Sequence, residues 1–419
     1  MNPFKPVSIS LSPNTEKKDV SLAFKLLFQP WKWKKGKEVK LLEERFKEYL
    51  EVKYAFSFNS GRSSLLAILD SLGLQKGDEI MLQAFTCNAA ANPIIWSGLK
   101  PVYVDCHEKT FNIDIEDLKR KITPRSRVVM VQHTFGLPAD MDEIVEICRK
   151  NDLILIEDCA HSLGAFYKGR KVGTFGQAAF FSFSRDKIIS SVYGGMAVTG
   201  QEGLAKKIKE YRNRIKYPSV FWIKQQIVHP VLMSWLILPT YRILGKYLLI
   251  LFQLFRILSK AVHWKEKRGK KPGYFPGKMP NALAVLALCQ FDRLGKFNDH
   301  RKKIAQLYRE RLKNSSFELP IDFSQTYLRF SIKHGQAHNI IKKAWQNNLL
   351  MGDWYTSVVA PSDTKLAEMG YRDGSCPKAE KLAGKTLNLP THINIAMEQA
   401  QKITDFLKSI DHGNKKNQR

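Results

Sequence analysis

Two apolar runs constrain this chain more than any other feature of it. LILIE, Leu153–Glu157, ends against Asp158, and QAAFFSF, Gln177–Phe183, carries Ser182 and is followed by Lys187. Val/Ile/Leu-rich runs that give way to polar residues read as strands buried in a parallel sheet, with their C-terminal ends emerging into a site. The rest of the chain keeps the same rhythm. YAFSF, EIMLQ and SRVVMVQ are strand-like, and SGRSSLLAILDSLGL and DEIVEICRKNDL have helical periodicity. Strands alternating with helices of about a dozen residues specify an α/β domain with a mostly parallel sheet.

Asp158 and Lys187 are the pairing that pyridoxal 5'-phosphate requires. The lysine amine forms a Schiff base with the aldehyde, and the acid holds a proton on the pyridine nitrogen. Each residue also has a plainer reading. A strand-end Asp commonly caps the next helix, here AHSLGA, and an isolated Lys is usually a solvated charge.

IEDCAHSLGA, GTFG, SFSRDK and GGMAVT occur in that order, and together they resemble the DegT/StrS-type sugar aminotransferases. The resemblance covers nearly the whole chain apart from one insertion. It implies the fold of a fold-type I pyridoxal-phosphate-dependent transferase: a large α/β domain with a mostly parallel sheet, and a small C-terminal α+β domain. It also implies Lys187 as the Schiff-base lysine and proton shuttle, and Asp158 as the partner of the pyridine nitrogen. His161 falls near the cofactor's phenolic oxygen and Ser182 at its phosphate. Gly61, Arg62 and Ser63 open a helix after YAFSFNS. The resemblance makes them phosphate binders, as suits the N–H groups at a helix start; alone, the junction is a tight turn.

Several positions depart from the family pattern. Arg62 stands where Thr is common, Cys87 where an aromatic stacks on the ring, and Ile188 where Asn follows the lysine. Either Phe85 covers the ring in place of Cys87, or something smaller does. Pro276-Gly277-Lys278-Met279 replaces Asn-aromatic-Arg-Met, leaving Asn281 as the substitute for an Asn that reaches the partner subunit's phosphate. His133, in QHTFGLPADM, either faces the cofactor or satisfies a loop backbone.

Residues 216–275 form the insertion. No Asp or Glu lies between Tyr211 and Lys265, and IVHPVLMSWLILPTYRILGKYLLILFQLFRIL is largely apolar. The longest part free of Lys and Arg, Gln225 to Tyr241, is at the short edge of the roughly 17–25 residues that span a bilayer. Three readings stand: an interfacial or re-entrant hairpin anchored by Trp222, Trp235 and Trp264; a full span; and an apolar helix pair buried in a dimer interface. The one-sided charge favours the first. The arm at 1–40 interleaves Trp31 and Trp33 with lysines, which suits a membrane interface or an arm packing on the body. The large domain is expected over 41–215, the interdomain helix and small domain over 276–411, and a disordered polar tail over 412–419.

The 67 Lys and Arg residues against 39 acids give a net charge of +28, which implies attraction to a polyanion. The clearest basic-aromatic cluster lies beside apolar helices, so an anionic membrane surface is expected and nucleic acid is not. Six cysteines without a CxxC pair indicate neither a disulfide framework nor a zinc site. They suit a reducing cytoplasm, and MNPFKPVSIS lacks the apolar core of a secretory signal. The resemblance implies a homodimer that moves an amine from an amino acid, such as glutamate, to a nucleotide-linked keto-sugar. Such work at the inner membrane face suits surface-polysaccharide or glycolipid synthesis. Related sugar dehydratases carry His in place of the lysine, so Lys187 argues against dehydration. A non-catalytic basic scaffold is the remaining alternative.

Overall fold

The computed structural model describes residues 4–321 and 325–416, with side chains as far as Asp411. Seven strands build the central sheet: β1 (Tyr54–Phe58), β2 (Glu79–Gln83), β3 (Lys100–Val104), β4 (Ser126–Gln132), β5 (Ile154–Asp158), β6 (Ala178–Ser182) and β7 (Gly195–Thr199). Their order is β1-β7-β6-β5-β4-β2-β3. Only β7 runs antiparallel to its neighbours. The expected mostly parallel sheet is present.

Side chains alternate across this sheet, and both faces are covered. In chain order the first helices are α1 (Lys17–Leu27), α2 (Glu38–Leu50), α3 (Gly61–Ser71), α4 (Asn88–Trp96) and α5 (Ile115–Lys121); Ile156, Ala178 and Phe180 enter one core, shared with α3, α4 and α7 (Glu202–Arg214). Leu155 enters the opposite core beside α6 (Met141–Lys150). Met141, Ile144, Ile147 and Cys148 form the buried stripe of α6, with acids in its first turn and bases in its last. Ile156 is fully buried. Truncating it to Ala costs about 2–5 kcal/mol in transfer and cavity terms.

The register sets where chemistry can occur. Asp158 pairs with Gln132 of β4 on one side and with Phe180 of β6 on the other. The polar C-terminal ends of three neighbouring strands therefore emerge along one edge, where open α/β sheets place their ligands.

The C-terminal part forms a smaller α+β unit. β8 (Phe330–Lys333) pairs antiparallel with β9 (Thr386–Leu389). Helices at Leu294–Leu312, Ala337–Gln346 and Met397–Lys416 cover this pair. The closing helix continues to Lys416, through part of the segment expected as a tail; residues 417–419 lie outside the described residues. Val359–Ala360 pairs with Thr86–Cys87, which brings the smaller unit against the sheet's C-terminal edge.

The insertion folds as two helical arms, Val220–Ile237 and Tyr241–Leu254, bent by 112°. A Cβ on Gly245 would lie 2.0 Å from the Ile237 carbonyl, so the close return of the second arm requires glycine there. No single helix among the described residues is long and apolar enough to cross a membrane. Trp222, expected as a membrane anchor, is instead buried between Tyr193 and Tyr274, at ring separations of 5.2 and 5.8 Å. Trp235 and Trp264 are exposed. The N-terminal arm divides in the same way: Trp33 is buried and donates to the Leu26 carbonyl at 2.7 Å, while Phe24, Phe28 and Trp31 face outward.

Candidate active site

A cavity of about 290 Å³ opens at the C-terminal edge of β4, β5 and β6. Asp158, His161, Ser182, Lys187, Gly61 and Arg62 all line it. The sheet register delivers Asp158, and the loop after β6 delivers Lys187. That loop is held from behind: the buried Arg301 donates to the Ile188 carbonyl at 3.0 Å and to Asn14 Oδ1 at 2.8 Å, while Asn14 donates to the carbonyls of Lys187 and Ile188. The lysine stem is fixed by its own backbone while its amine reaches into the cavity.

Burial pushes the Lys187 amine below its ordinary value, opposed by the carboxylates of Asp186 and Asp158. Its Nζ lies 4.6 Å from the centre of the Trp354 ring. Burial pushes Asp158 up, opposed by the Ala160 N–H, which donates to Oδ1 at 3.0 Å, and by Lys187. Asp158 does act on the backbone two residues on, as the plainer reading expected, yet its carboxylate still faces the cavity. A buried carboxylate with so little hydrogen bonding is costly, and a cationic ring nitrogen would relieve that cost.

His161 is neutral. Burial pushes it well below its ordinary value, helped by Lys187 and Arg329. Its Nδ1 accepts the Phe135 N–H at 3.3 Å, which leaves the proton on Nε2 to be donated to the Tyr355 hydroxyl at 3.3 Å. Its ring stacks between Phe135 and Trp354, at 5.9 and 5.5 Å.

At the other end of the cavity the start of α3 meets Ser182. The Ser60 hydroxyl caps the helix by accepting the Ser63 N–H at 3.1 Å. A Cβ on Gly195 would lie 2.4 Å from the Gly61 nitrogen, so only glycine at the head of β7 lets the helix start come this close. Ser182 Oγ donates to Ser184 Oγ at 3.2 Å, and both hydroxyls line the cavity. A helix start beside two hydroxyls suits a phosphate group.

Two expected phosphate ligands are committed elsewhere. Ser63 Oγ donates to Asn59 Oδ1 at 2.6 Å and does not line the cavity. The Arg62 side chain forms a buried ion pair with Glu266 of the insertion, Nε to Oε2 at 2.5 Å, and lies 5.4 Å from the centre of the Phe275 ring. Arg62 therefore meets the cavity at the helix start while its charge is spent on the insertion.

Phe85 is fully buried among Phe111, Phe135 and Tyr355 and does not line the cavity, whereas Cys87 does. The aromatic wall is Trp354 with Tyr355, from the smaller unit, which no motif announced. Asn281 binds the Glu38 N–H and the Lys32 carbonyl, holding the N-terminal arm rather than a phosphate. His133 meets Glu157 at 3.2 Å and accepts the Ala139 N–H, a structural role away from the cavity. His133, Glu157 and Cys159 come close enough to share an ion. Glu157 nevertheless accepts the N–H groups of Gly173, Phe175 and Gly176, which already occupy its lone pairs.

The donor set fits pyridoxal phosphate: an amine, a buried acid and an anion cradle face one cavity. The cavity also has an unexpected wall, Ala261 and Val262, which follow the two helical arms in the chain. Arg185 holds that strap by donating to the Ser259 carbonyl and hydroxyl, both at 2.6 Å, and the Tyr193 hydroxyl donates to the Lys260 carbonyl at 2.7 Å.

The chain is similar to several known sugar aminotransferases. Over 404 residues the chain is 26% identical to GDP-perosamine synthase of Escherichia coli O157:H7, covering 95% of this chain and 97% of that protein. It is 26% identical to the UDP-N-acetyl-3-dehydro-alpha-D-glucosamine 3-aminotransferase of Acidithiobacillus ferrooxidans, covering 90% of each. The fold matches Helicobacter pylori PseC, an aminotransferase of pseudoaminic acid biosynthesis, with a TM-score of 0.77 at 21% identity over 98% of this chain and 100% of that one. It also matches the PLP form of the putative sugar aminotransferase Spr1654 of Streptococcus pneumoniae, with a TM-score of 0.75 at 20% identity over 98% of both chains. The model of the DegT/DnrJ/EryC1/StrS aminotransferase family matches residues 14–222 and 249–408, and the chain belongs to that family of pyridoxal-phosphate-dependent sugar aminotransferases.

Proposed function

We propose that this enzyme transfers an amino group from an amino acid, with glutamate as the donor, to a nucleotide-linked keto-sugar in the synthesis of a surface polysaccharide or glycolipid. The observation that carries this reading is the meeting of Lys187 and Asp158 in one enclosed cavity with the start of α3. Lys187 would hold the cofactor, Asp158 its ring nitrogen, and the α3 start with Ser182 its phosphate. When bound, pyridoxal phosphate supplies an aldehyde for the amine and a ring that accepts negative charge from the substrate carbon.

The chain's own residues do the remaining work. Burial holds the Lys187 amine below its ordinary value, which suits it to take and return a proton near the substrate carbon. Asp158, in a dry setting, favours a cationic partner strongly. Neutral His161 adds no second positive charge near Lys187. Trp354 covers one side of the amine. The named activities of the GDP-perosamine synthase and the UDP-sugar aminotransferase support a sugar nucleotide as acceptor. Activity is tested with purified protein, pyridoxal phosphate and glutamate. Conversion of the cofactor's absorbance, followed by amine transfer to a keto-sugar nucleotide, is expected. Protein that binds no cofactor ends the proposal.

The assembly is a homodimer on this reading, checked by light scattering after gel filtration. We further place the enzyme at an anionic membrane surface in the cytoplasm. Tyr247, Ile250, Leu254 and Phe255 are exposed on the insertion, and Phe24 of the N-terminal arm lies 5.2 Å from Trp235 in the same apolar region. Each Lys or Arg beside such a face gains about 1 kcal/mol at anionic lipid. Flotation with anionic vesicles, weakened by Ile250→Asp with Leu254→Asp, is the expected result; equal flotation of both proteins removes this placement.

A further inference from the structure

A second cavity, of about 500 Å³, lies against the cofactor cavity, and the two share Ser10, Asp353 and Trp354 as a common wall. Its outer side belongs to the insertion, through Tyr241, Arg242 and Lys246. Its inner side holds the buried Arg329, whose guanidinium carbon lies 3.4 Å from the centre of the Trp354 ring and whose Nη2 meets Asp186 at 3.0 Å. Asp186 thus occupies part of the Arg329 charge. Arg242 and Lys246 are exposed and have no carboxylate partner among the described residues. The walls therefore carry three cations against one lining acid, Asp353.

Two unpaired cations over a buried third, one wall away from the reactive lysine, select an anion that is joined to the reacting group. We infer that this chamber holds the diphosphate of a sugar diphosphate, with the sugar crossing the Trp354 wall toward Lys187. The inference rests on the aminotransferase reading above and adds the device that recognises the substrate. The family model does not match residues 223–248, the stretch that supplies Tyr241, Arg242 and Lys246, so the family pattern does not supply these contacts.

A nucleoside diphosphate and a polyprenyl diphosphate present the same chemistry to these cations. The geometry accommodates both. Ile243, Leu244, Tyr247 and Ile250 are exposed on the helix that supplies Arg242 and Lys246, so a lipid tail could lie on that face while its diphosphate enters the chamber.

The test is calorimetric titration of the pyridoxal-phosphate-loaded enzyme with inorganic pyrophosphate, comparing wild type with Arg242→Ala/Lys246→Ala. Each lost charge-assisted contact weakens binding about tenfold, so a loss of about 100-fold is expected. The unfolding midpoint and the absorbance of the bound cofactor stay unchanged in the variant, because both residues are exposed and neither lines the cofactor cavity. Equal pyrophosphate affinity in the two proteins overturns the inference. A wild-type enzyme inert to glutamate overturns the aminotransferase reading instead, and the pyrophosphate titration still decides the chamber. Two further titrations use uridine diphosphate in solution and vesicles carrying a polyprenyl diphosphate. Variant-sensitive binding tighter than pyrophosphate in either one supports the inference and identifies the source. Binding no tighter than pyrophosphate in both overturns the assignment to a substrate's diphosphate.

Discussion

The inner and outer ends of the cofactor cavity are built by different means. The inner end is backbone: parallel ladders hold Gln132, Asp158 and Phe180 level across β4, β5 and β6, so Asp158 has little freedom to move. The outer end is side chains: Arg185, Tyr193 and Arg62 hold a strap at residues 259–266, which the family model matches although the sequence suggested an insertion over 216–275, and the ion pair between Arg62 and Glu266 is its buried rivet. Ladders place a carboxylate for chemistry; side-chain pairs hold a wall across residues far apart in the chain. Substitutions at the two ends should therefore fail in different ways.

The largest effect is expected at the inner end. Lys187→Ala should lower amine transfer by about 10⁴-fold or more, since it removes both the cofactor's attachment and the proton carrier. Thermal unfolding of the unloaded protein should barely change, because among the described residues the amine has no salt bridge to lose. Asp158→Asn should cost about 10³-fold in rate, as removal of a preorganised charge does in a dry site. A small effect at Asp158 would mean that the ladder register does not place the charge that matters.

At the outer end the signature reverses. Glu266→Ala strands the buried Arg62 charge and should cost about 3 kcal/mol, seen as a lower unfolding midpoint and faster proteolysis within residues 255–275. Replacing both partners, Arg62→Met with Glu266→Met, should recover most of that loss. If Glu266→Ala left stability intact and abolished catalysis, the strap would belong with the chemistry and the contrast would collapse.

The smallest effect per residue is on pH dependence, and it comes from histidines buried in different parts of the fold. Burial holds His161 and His229 well below their ordinary values and His392 down to about 3. Below about pH 6.5 the unfolded chain takes up protons that these folded histidines refuse, so stability falls as pH falls. Each contributes up to about 1.4 kcal/mol per pH unit until its folded value is reached. Asp158, raised by burial, acts in the opposite sense: its contribution is present at low pH and is lost as pH rises through its folded value. Urea unfolding at pH 7.5 and 5.5 should show the net decrease at the lower pH.

The inner end was legible in the sequence because its features are local. The apolar runs before Asp158 and around Ser182 announce buried strands, and a one-residue register slip would turn those side chains to the other face. Gly61 was legible as a turn, and the structure explains it by the approach of Gly195. The outer end was not legible. Arg185 reaches a partner 74 positions away, and Arg62 meets the Ala261 carbonyl 199 positions away, pairings that carry no periodicity. Trp354, Tyr355 and Arg329 were missed for the same reason: they belong to the smaller unit and reach the cavity only because Val359–Ala360 pairs with Thr86–Cys87. Trp222 misled because composition cannot tell a lipid anchor from a tryptophan buried between two tyrosines.

The most direct measurement is to load the purified protein with pyridoxal phosphate, reduce it with borohydride and locate the modified residue by peptide mass spectrometry. The pairing of Asp158 with Lys187 predicts a phosphopyridoxyl group on Lys187, with little on any other lysine. A label spread over surface lysines, with Lys187 unmodified, would contradict it.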